Sequence, residues 1–264
     1  MQVAWIGLGE MGLPTAMKVA AAGHAVRAYD VALPAAAKGL ELAASPREAA
    51  DGCDLLCIAV FSDAQVEEVL TGPDGVMSDL KDGAIVAIFT TGSVEAVQAI
   101  AAKAPAGVAV LDTCFSRRQS EMLPGKLTLL VGGDADAIER GRPAFDSFAR
   151  AIFHVGPSGA GRKIKLVNNI LFAGHLQLAV DALRLAEGLG LDRAATAGAL
   201  VECSGASEVL HRFIVEDAAA ILESAHRYMV KDVAAAADAG AAAGIDLGTL
   251  GAVTATYRST WPSG

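Results

Sequence analysis

Lys165, Asn168 and Asn169 close the stretch GAGRKIKLVNN, Gly159 to Asn169. On a helix the two amides lie about 60° and 40° from the direction of the lysine, so the three side chains share a face. An ammonium flanked by amides can polarise a carbonyl and hand it a proton or, once desolvated, take a proton from a hydroxyl. A lysine on a helix is by itself only a solvated charge. This one gains weight from the glycine-rich turn GPSGAG before it, which joins its helix to an N-terminal half of different character.

That half opens with VAWIGLGEMG, a GxGxxG of Gly7, Gly9 and Gly12 set between an apolar run and a helix expected from about Met11 to Ala22. In that context Gly7 makes a tight turn, Gly9 lets the backbone approach a pyrophosphate and Gly12 lets helix and strand pack closely, with the phosphate charge at the helix N-terminus. Asp30 ends AVRAYD, 18 residues past Gly12. An acidic residue there accepts hydrogen bonds from ribose hydroxyls and repels a 2′-phosphate, which favours NAD over NADP. The cofactor-binding candidates are therefore Gly7, Leu8, Gly9, Glu10, Met11, Gly12, Tyr29 and Asp30. Ligands of open α/β sheets bind outside the strand C-termini, which adds Val60, Phe61 and Ser62 after DLLCIA, and Thr90 and Thr91 after AIVAIF. Each of these serves equally to start the next helix, and Asp63 and Ser93 read as N-caps.

The elements that must hold these groups follow from periodicity. VAWI, AVRAY, DLLCIAV, AIVAIF, VAVL, LTLLV and AIFHV read as strands between amphipathic segments. Their near-continuous apolarity suits a sheet covered on both faces, the doubly wound parallel arrangement of an α/β Rossmann-type domain. From Arg162 to Gly188 apolar residues recur at helical spacing without proline, predicting a helix of roughly 40 Å that links two domains. Everything beyond Leu191 is helical in character. The expected domains are 1–157, which binds dinucleotide, and 158–264, all-α and opening with the long interdomain helix.

Of the 264 residues 53% are hydrophobic, and the net charge is −9. That charge argues against nucleic acid and anionic membranes as partners and leaves a small-molecule ligand. Long apolar runs are interrupted by charge, amide or glycine before the roughly 20 residues of a spanning helix. MQVAWIGLGE lacks the marks of a secretory signal, so a cytoplasmic location is expected. Cys53, Cys57, Cys114 and Cys203 show neither a disulfide framework nor metal-ligand spacing with the histidines. A helical domain this small, rich in alanine, points to a homo-oligomer, dimer or tetramer.

In order along the chain, IGLGEMGLP, AGHAVRAYD, GAGRKIKLVNN and MVKD resemble the cofactor turn, second strand, catalytic helix and late lysine motif of the β-hydroxyacid dehydrogenases, the group that includes 3-hydroxyisobutyrate dehydrogenase and tartronate semialdehyde reductase. The resemblance implies an NAD-dependent oxidoreductase that moves hydride between nicotinamide and a small 3-hydroxy acid or its semialdehyde. It also implies that Lys165 is the catalytic lysine, that Asn169 helps hold substrate with Asn168 beside it, that Thr91 meets the nicotinamide portion, and that Lys231 of MVKD reaches the cofactor. Ser116 of LDTCFS would lie in the loop that binds the substrate carboxylate. There the chain departs from the family pattern, with Ser116, Arg117 and Arg118 where Ser-Gly-Gly is usual. Either a guanidinium grips the carboxylate or another anion, or both side chains point away and the loop has moved. The competing readings are an imine reductase-like NAD(P)H-dependent reductase, which usually lacks lysine at position 165, and a dinucleotide-binding sensor without turnover.

Overall fold

The structure, a computed structural model, describes residues 1–32, 37, 39–116, 127–215 and 218–260. The chain forms two compact units, Met1–Lys165 and Leu166–Gly264.

The first unit is built on one eight-stranded sheet: β1 (Gln2–Ile6), β2 (Ala25–Tyr29), β3 (Glu41–Leu42), β4 (Leu55–Ile58), β5 (Ile85–Ile88), β6 (Ala109–Ser116), β7 (Leu127–Gly132) and β8 (Ala149–Gly156), in the spatial order 3-2-1-4-5-6-7-8. Between the strands come α1 (Gly12–Ala21), α2 (Pro46–Ala50), α3 (Asp63–Thr71), α4 (Val94–Lys103) and α5 (Ala135–Phe145). Alternation along the strands feeds two cores. Val3, Trp5, Leu55, Cys57 and Phe89 pack on one face, while Ala4, Ile6, Leu56, Ile58 and Ile88 pack on the other. Covering both faces is what makes these strands read as continuous apolar runs.

Two features depart from the expected sheet. β3 is a two-residue strand with both residues exposed, too short and too polar to announce itself. The sheet is parallel from β3 through β6, but β7 runs antiparallel to β6, with β8 parallel to β7. An apolar run reports that a strand is covered, not which way it points.

α6 (Ala160–Gly188) starts in the first unit and continues into the second, which adds α7 (Arg193–Leu200), α8 (Glu208–Val215), α9 (Ala218–Ala242) and α10 (Thr249–Thr260). The second unit's core gathers Ala173, Leu176 and Ala179 of α6 with Val209, Leu210, Ile221, Val233, Val253 and Tyr257. α6 is long and apolar enough to cross a membrane by length and composition, with mean hydropathy 1.2 over its best window, while Asn168, Asn169, Gly174 and Gln177 interrupt its apolar runs as expected. The inward stripe at three- and four-residue spacing, Ile170, Ala173, Leu176, Ala179 and Leu183, explains much of that hydropathy as core.

Candidate active site

The turn after β1 is shaped for a close-approaching ligand. Gly7 has φ +97°, and a Cβ there would lie 2.5 Å from the carbonyl oxygen of Ala59, so no side chain fits. A Cβ on Gly12 would collide with the Gly7 carbonyl, while one on Gly9 would meet nothing within 4 Å, leaving that backbone face open. Beneath the turn, the buried Trp5 indole donates to the Gly7 carbonyl at 3.1 Å, a support that no motif spacing announces. Gly7 N–H donates to the Tyr29 carbonyl at 2.9 Å, tying the turn to the end of β2.

Asp30 sits where β2 ends. Its carboxylate accepts the Leu8 N–H at 2.5 Å and the Ala32 N–H at 2.8 Å, which fixes it beside the glycine turn. A carboxylate carries about four acceptor sites, so capacity for hydroxyl donors remains. α1 begins without a side-chain cap at Met11 and without an acidic residue in its first turn. The first turn thus holds no carboxylate of its own at the helix's positive end, as suits a phosphate. The groups present fit a dinucleotide.

The loops after β4 and β5 are bound to one another. Thr90, buried, donates its hydroxyl to the Val60 carbonyl at 2.9 Å; Thr91 is half-buried beside it, and Phe61 is 85% exposed. Ser62 accepts from Gln65 N–H and caps α3, while Ser93 caps α4 by accepting from Ala96 N–H. Asp63, expected as an N-cap, is instead the first residue of α3. Its carboxylate accepts Ser93 N–H at 2.7 Å and the Arg162 guanidinium at 2.9 Å. The nearer cap at Ser62 satisfies the helix and frees Asp63 to reach across.

Lys165 stands in the second turn of α6. Half-buried, it donates to the carbonyl oxygen of Phe115 at 2.8 Å, one residue before Ser116 closes β6. Phe115 stacks on Phe89 at 4.7 Å between ring centroids, and Phe89 stacks on Trp5 at 5.5 Å. Lys165 thus meets the sheet at the C-terminal end of β6, the same edge as the glycine turn after β1. Arg117 and Arg118 lie outside the described residues.

Asp112 of β6 escaped the sequence reading. It is fully buried and accepts Gly159 N–H at 3.2 Å and Arg162 N–H at 2.8 Å, fastening the start of α6 to the sheet. Burial pushes its carboxyl above the ordinary carboxylate range, and those amide donors pull the other way. Arg162 is buried as well, and its side chain donates to Asp63, to the carbonyl of Ser93 and to the carbonyl of Thr90.

Within the second unit, Asn169 is buried and donates to Asp232 at 2.7 Å, while exposed Asn168 donates to the Asn169 side-chain oxygen at 3.0 Å. Sequence reasoning singled out Lys231 from MVKD. Lys231 is exposed, whereas its neighbour Asp232 is buried and holds Asn169. One residue along a helix turns the side chain by about 100°, so only one member of the pair can face inward.

A glycine turn, an acidic residue at the end of the second strand and a lysine at the same sheet edge define a nicotinamide-dinucleotide-dependent oxidoreductase. Residues 2–156 match the family model for the NAD-binding domain of 6-phosphogluconate dehydrogenase, and residues 159–264 match that for the NAD-binding of NADP-dependent 3-hydroxyisobutyrate dehydrogenase. The chain belongs to the β-hydroxyacid dehydrogenase family of NAD(P)-dependent enzymes. It is 34% identical to the NAD-dependent L-serine dehydrogenase of Pseudomonas aeruginosa over 79% of this chain and 72% of that protein. To the 3-hydroxyisobutyrate dehydrogenase of the same organism it is 29% identical, over 80% and 72% respectively. Among solved structures, the 3-hydroxyisobutyrate dehydrogenase of Mycobacterium tuberculosis with L-serine superposes with a TM-score of 0.84 at 26% identity, covering 98% of this chain and 92% of that one.

Proposed function

We propose that this protein is an NAD-dependent dehydrogenase of a small 3-hydroxy acid, or the reductase of its semialdehyde, with Lys165 as general acid and base. The bond between Lys165 and the Phe115 carbonyl carries the reading, because it brings an amine to the C-terminal edge of the sheet that bears the glycine turn. When bound, the dinucleotide accepts or returns the hydride of the carbinol carbon. As that hydride leaves, the neutral amine of Lys165 takes the hydroxyl proton and the C–O bond becomes a carbonyl. In the reverse direction its ammonium protonates the carbonyl oxygen.

Asn169 orients the reacting oxygen, and its bond to Asp232 fixes the rotamer that does so. Asn168 lies beside it, and Ser116 with Arg117 and Arg118 supplies the substrate carboxylate's site. Residues Gly7 to Gly12, Tyr29 and Asp30 hold the adenosine and pyrophosphate portions; Val60, Phe61, Ser62, Thr90 and Thr91 flank the rest, and Lys231 contributes on the resemblance alone. The Thr90 hydroxyl already donates to the Val60 carbonyl and the Ser62 hydroxyl already accepts from Gln65 N–H, which leaves the first an acceptor and the second a donor for the cofactor. Asp30 favours NAD over NADP. The L-serine and 3-hydroxyisobutyrate activities of the relatives are the substrate classes to test first.

Purified protein is expected to reduce NAD with L-serine or 3-hydroxyisobutyrate, and Lys165→Ala to lose about 10²- to 10⁴-fold in kcat while still binding NADH. Arg117→Ala should raise KM for the acid if a guanidinium grips it. Absence of turnover with hydroxy acids, semialdehydes and cyclic imines alike, despite NADH binding, would defeat the enzyme reading in favour of a sensor.

A further inference from the structure

We propose that Arg162 is a positioning residue for Lys165: its buried guanidinium fastens the first turn of α6 to the loops after β4 and β5 and so sets where the lysine amine stands at the cofactor edge. The proposal rests on the role of Lys165 proposed above.

The Arg162 side chain is 1% exposed and is paired with Asp63 at 2.9 Å, itself 27% exposed. One guanidinium nitrogen serves both Asp63 and the Ser93 carbonyl, and the other reaches the Thr90 carbonyl at 3.3 Å. Three acceptors on two separate loops are thus held by one rigid fork rooted on α6, three residues before Lys165. The fork's remaining nitrogen, Nε, is buried with no partner among the described residues. A buried ion pair adds little net stability over apolar residues of similar volume, and an unsatisfied donor worsens that balance. The arrangement is poorly suited to stabilisation alone and well suited to fixing geometry.

Without Arg162 the two loops stay joined through the Thr90 to Val60 and Ser93 to Asp63 hydrogen bonds, neither of which involves the guanidinium. The first turn of α6 would keep its backbone anchorage on Asp112 among the described residues. Loss of the fork should therefore spare the nucleotide site and loosen the lysine's helix.

The test uses the full-length protein carrying Arg162→Gln, with Arg162→Lys as a second variant that keeps a cation opposite Asp63 but has no fork to span three acceptors. Without cofactor, hydrogen–deuterium exchange should rise about tenfold in peptides covering residues 160–170 and stay unchanged over β1, β4 and β5. NADH affinity, read by fluorescence, should stay within about threefold, while kcat with L-serine and NAD falls roughly 30- to 100-fold, as a displacement near 1 Å produces. In a Lys165→Ala background the same Gln substitution should lower the residual rate by less than about threefold, since a group acting through the lysine has nothing left to position.

Exchange that is unchanged at residues 160–170, or that rises across the whole sheet, overturns the proposal. So does a loss of NADH binding in step with turnover, or an equal loss with and without Lys165. If Arg162→Gln does not fold, Arg162→Lys carries the same comparisons. Full activity in Lys165→Ala alone defeats the proton-transfer role and this proposal with it; if L-serine is not turned over, the localised exchange decides.

Discussion

The Lys165 amine and the Phe115 carbonyl oxygen are 2.8 Å apart, joining the second turn of α6 to the last residues of β6. The acceptor is main chain, held by the pairing of β6 with β7, and the Phe115 ring lies on Phe89, which lies on Trp5. The proposed acid–base group thus bonds to a residue of an aromatic stack that also supports the glycine turn through the Trp5 indole.

Replacing Phe89 with leucine should remove both stacking contacts while nearly keeping apolar volume. A loss of about 1–2 kcal/mol in unfolding free energy is expected, with a fall in kcat larger than any change in NADH affinity. Urea denaturation and steady-state kinetics check the two effects separately.

Asp30→Ser removes the charge proposed to meet the ribose and one of two acceptors for backbone N–H groups. NADH binding should weaken about tenfold or more, since a hydrogen bond to a charged group is worth about 1.5–3 kcal/mol. NADPH binding should weaken less or improve, narrowing the preference. Fluorescence titration with both nucleotides measures the ratio.

Burial pushes the Cys53 thiol up to about 11 from the ordinary 9.0, and burial likewise pushes the Cys57 thiol well above that ordinary value. In the unfolded chain these thiols ionise near 9, so between pH 9 and 11 the unfolded state releases protons that the folded state keeps. Stability is therefore whole below pH 9 and falls as pH rises through that window. Guanidinium midpoints at pH 8 and pH 10.5 should show a drop of about 1–3 kcal/mol in unfolding free energy, smaller in Cys53→Ala. At pH 8 a thiol reagent should label exposed Cys203 quickly and buried Cys53, Cys57 and Cys114 only on denaturation.

Val167, Leu171, Leu178 and Leu185 lie along α6 at spacings of four, seven and seven, and are 61%, 48%, 58% and 64% exposed. A stripe of that length facing water suits association with a second copy. Light scattering should report two or more chains per particle. Leu178→Glu should shift it toward one, without loss of helical circular dichroism.

Much of the first unit was legible because its signals are local. Alternating apolar runs marked seven of the eight strands, the glycine spacing marked the turn after β1, and the apolar repeat after GPSGAG marked α6 within two residues of its start. The antiparallel β7 was not legible, since residue composition carries no strand direction. The cap at Ser62 rather than Asp63 was not decided either, because both residues suit an N-cap and only the distant claim of Arg162 on Asp63 separates them.

Local chain chemistry thus determined the elements, the dinucleotide turn and the lysine's place on its helix, since each depends on residues within a few turns of one another. Tertiary structure alone decided which charges are buried and with whom. Arg162 finds Asp63 from 99 residues away, Arg162 N–H finds Asp112 from 50, and Asn169 finds Asp232 from 63. A buried polar group must take whatever partner the packed fold brings within about 3 Å, and that choice exists only once the sheet and the helices have assembled.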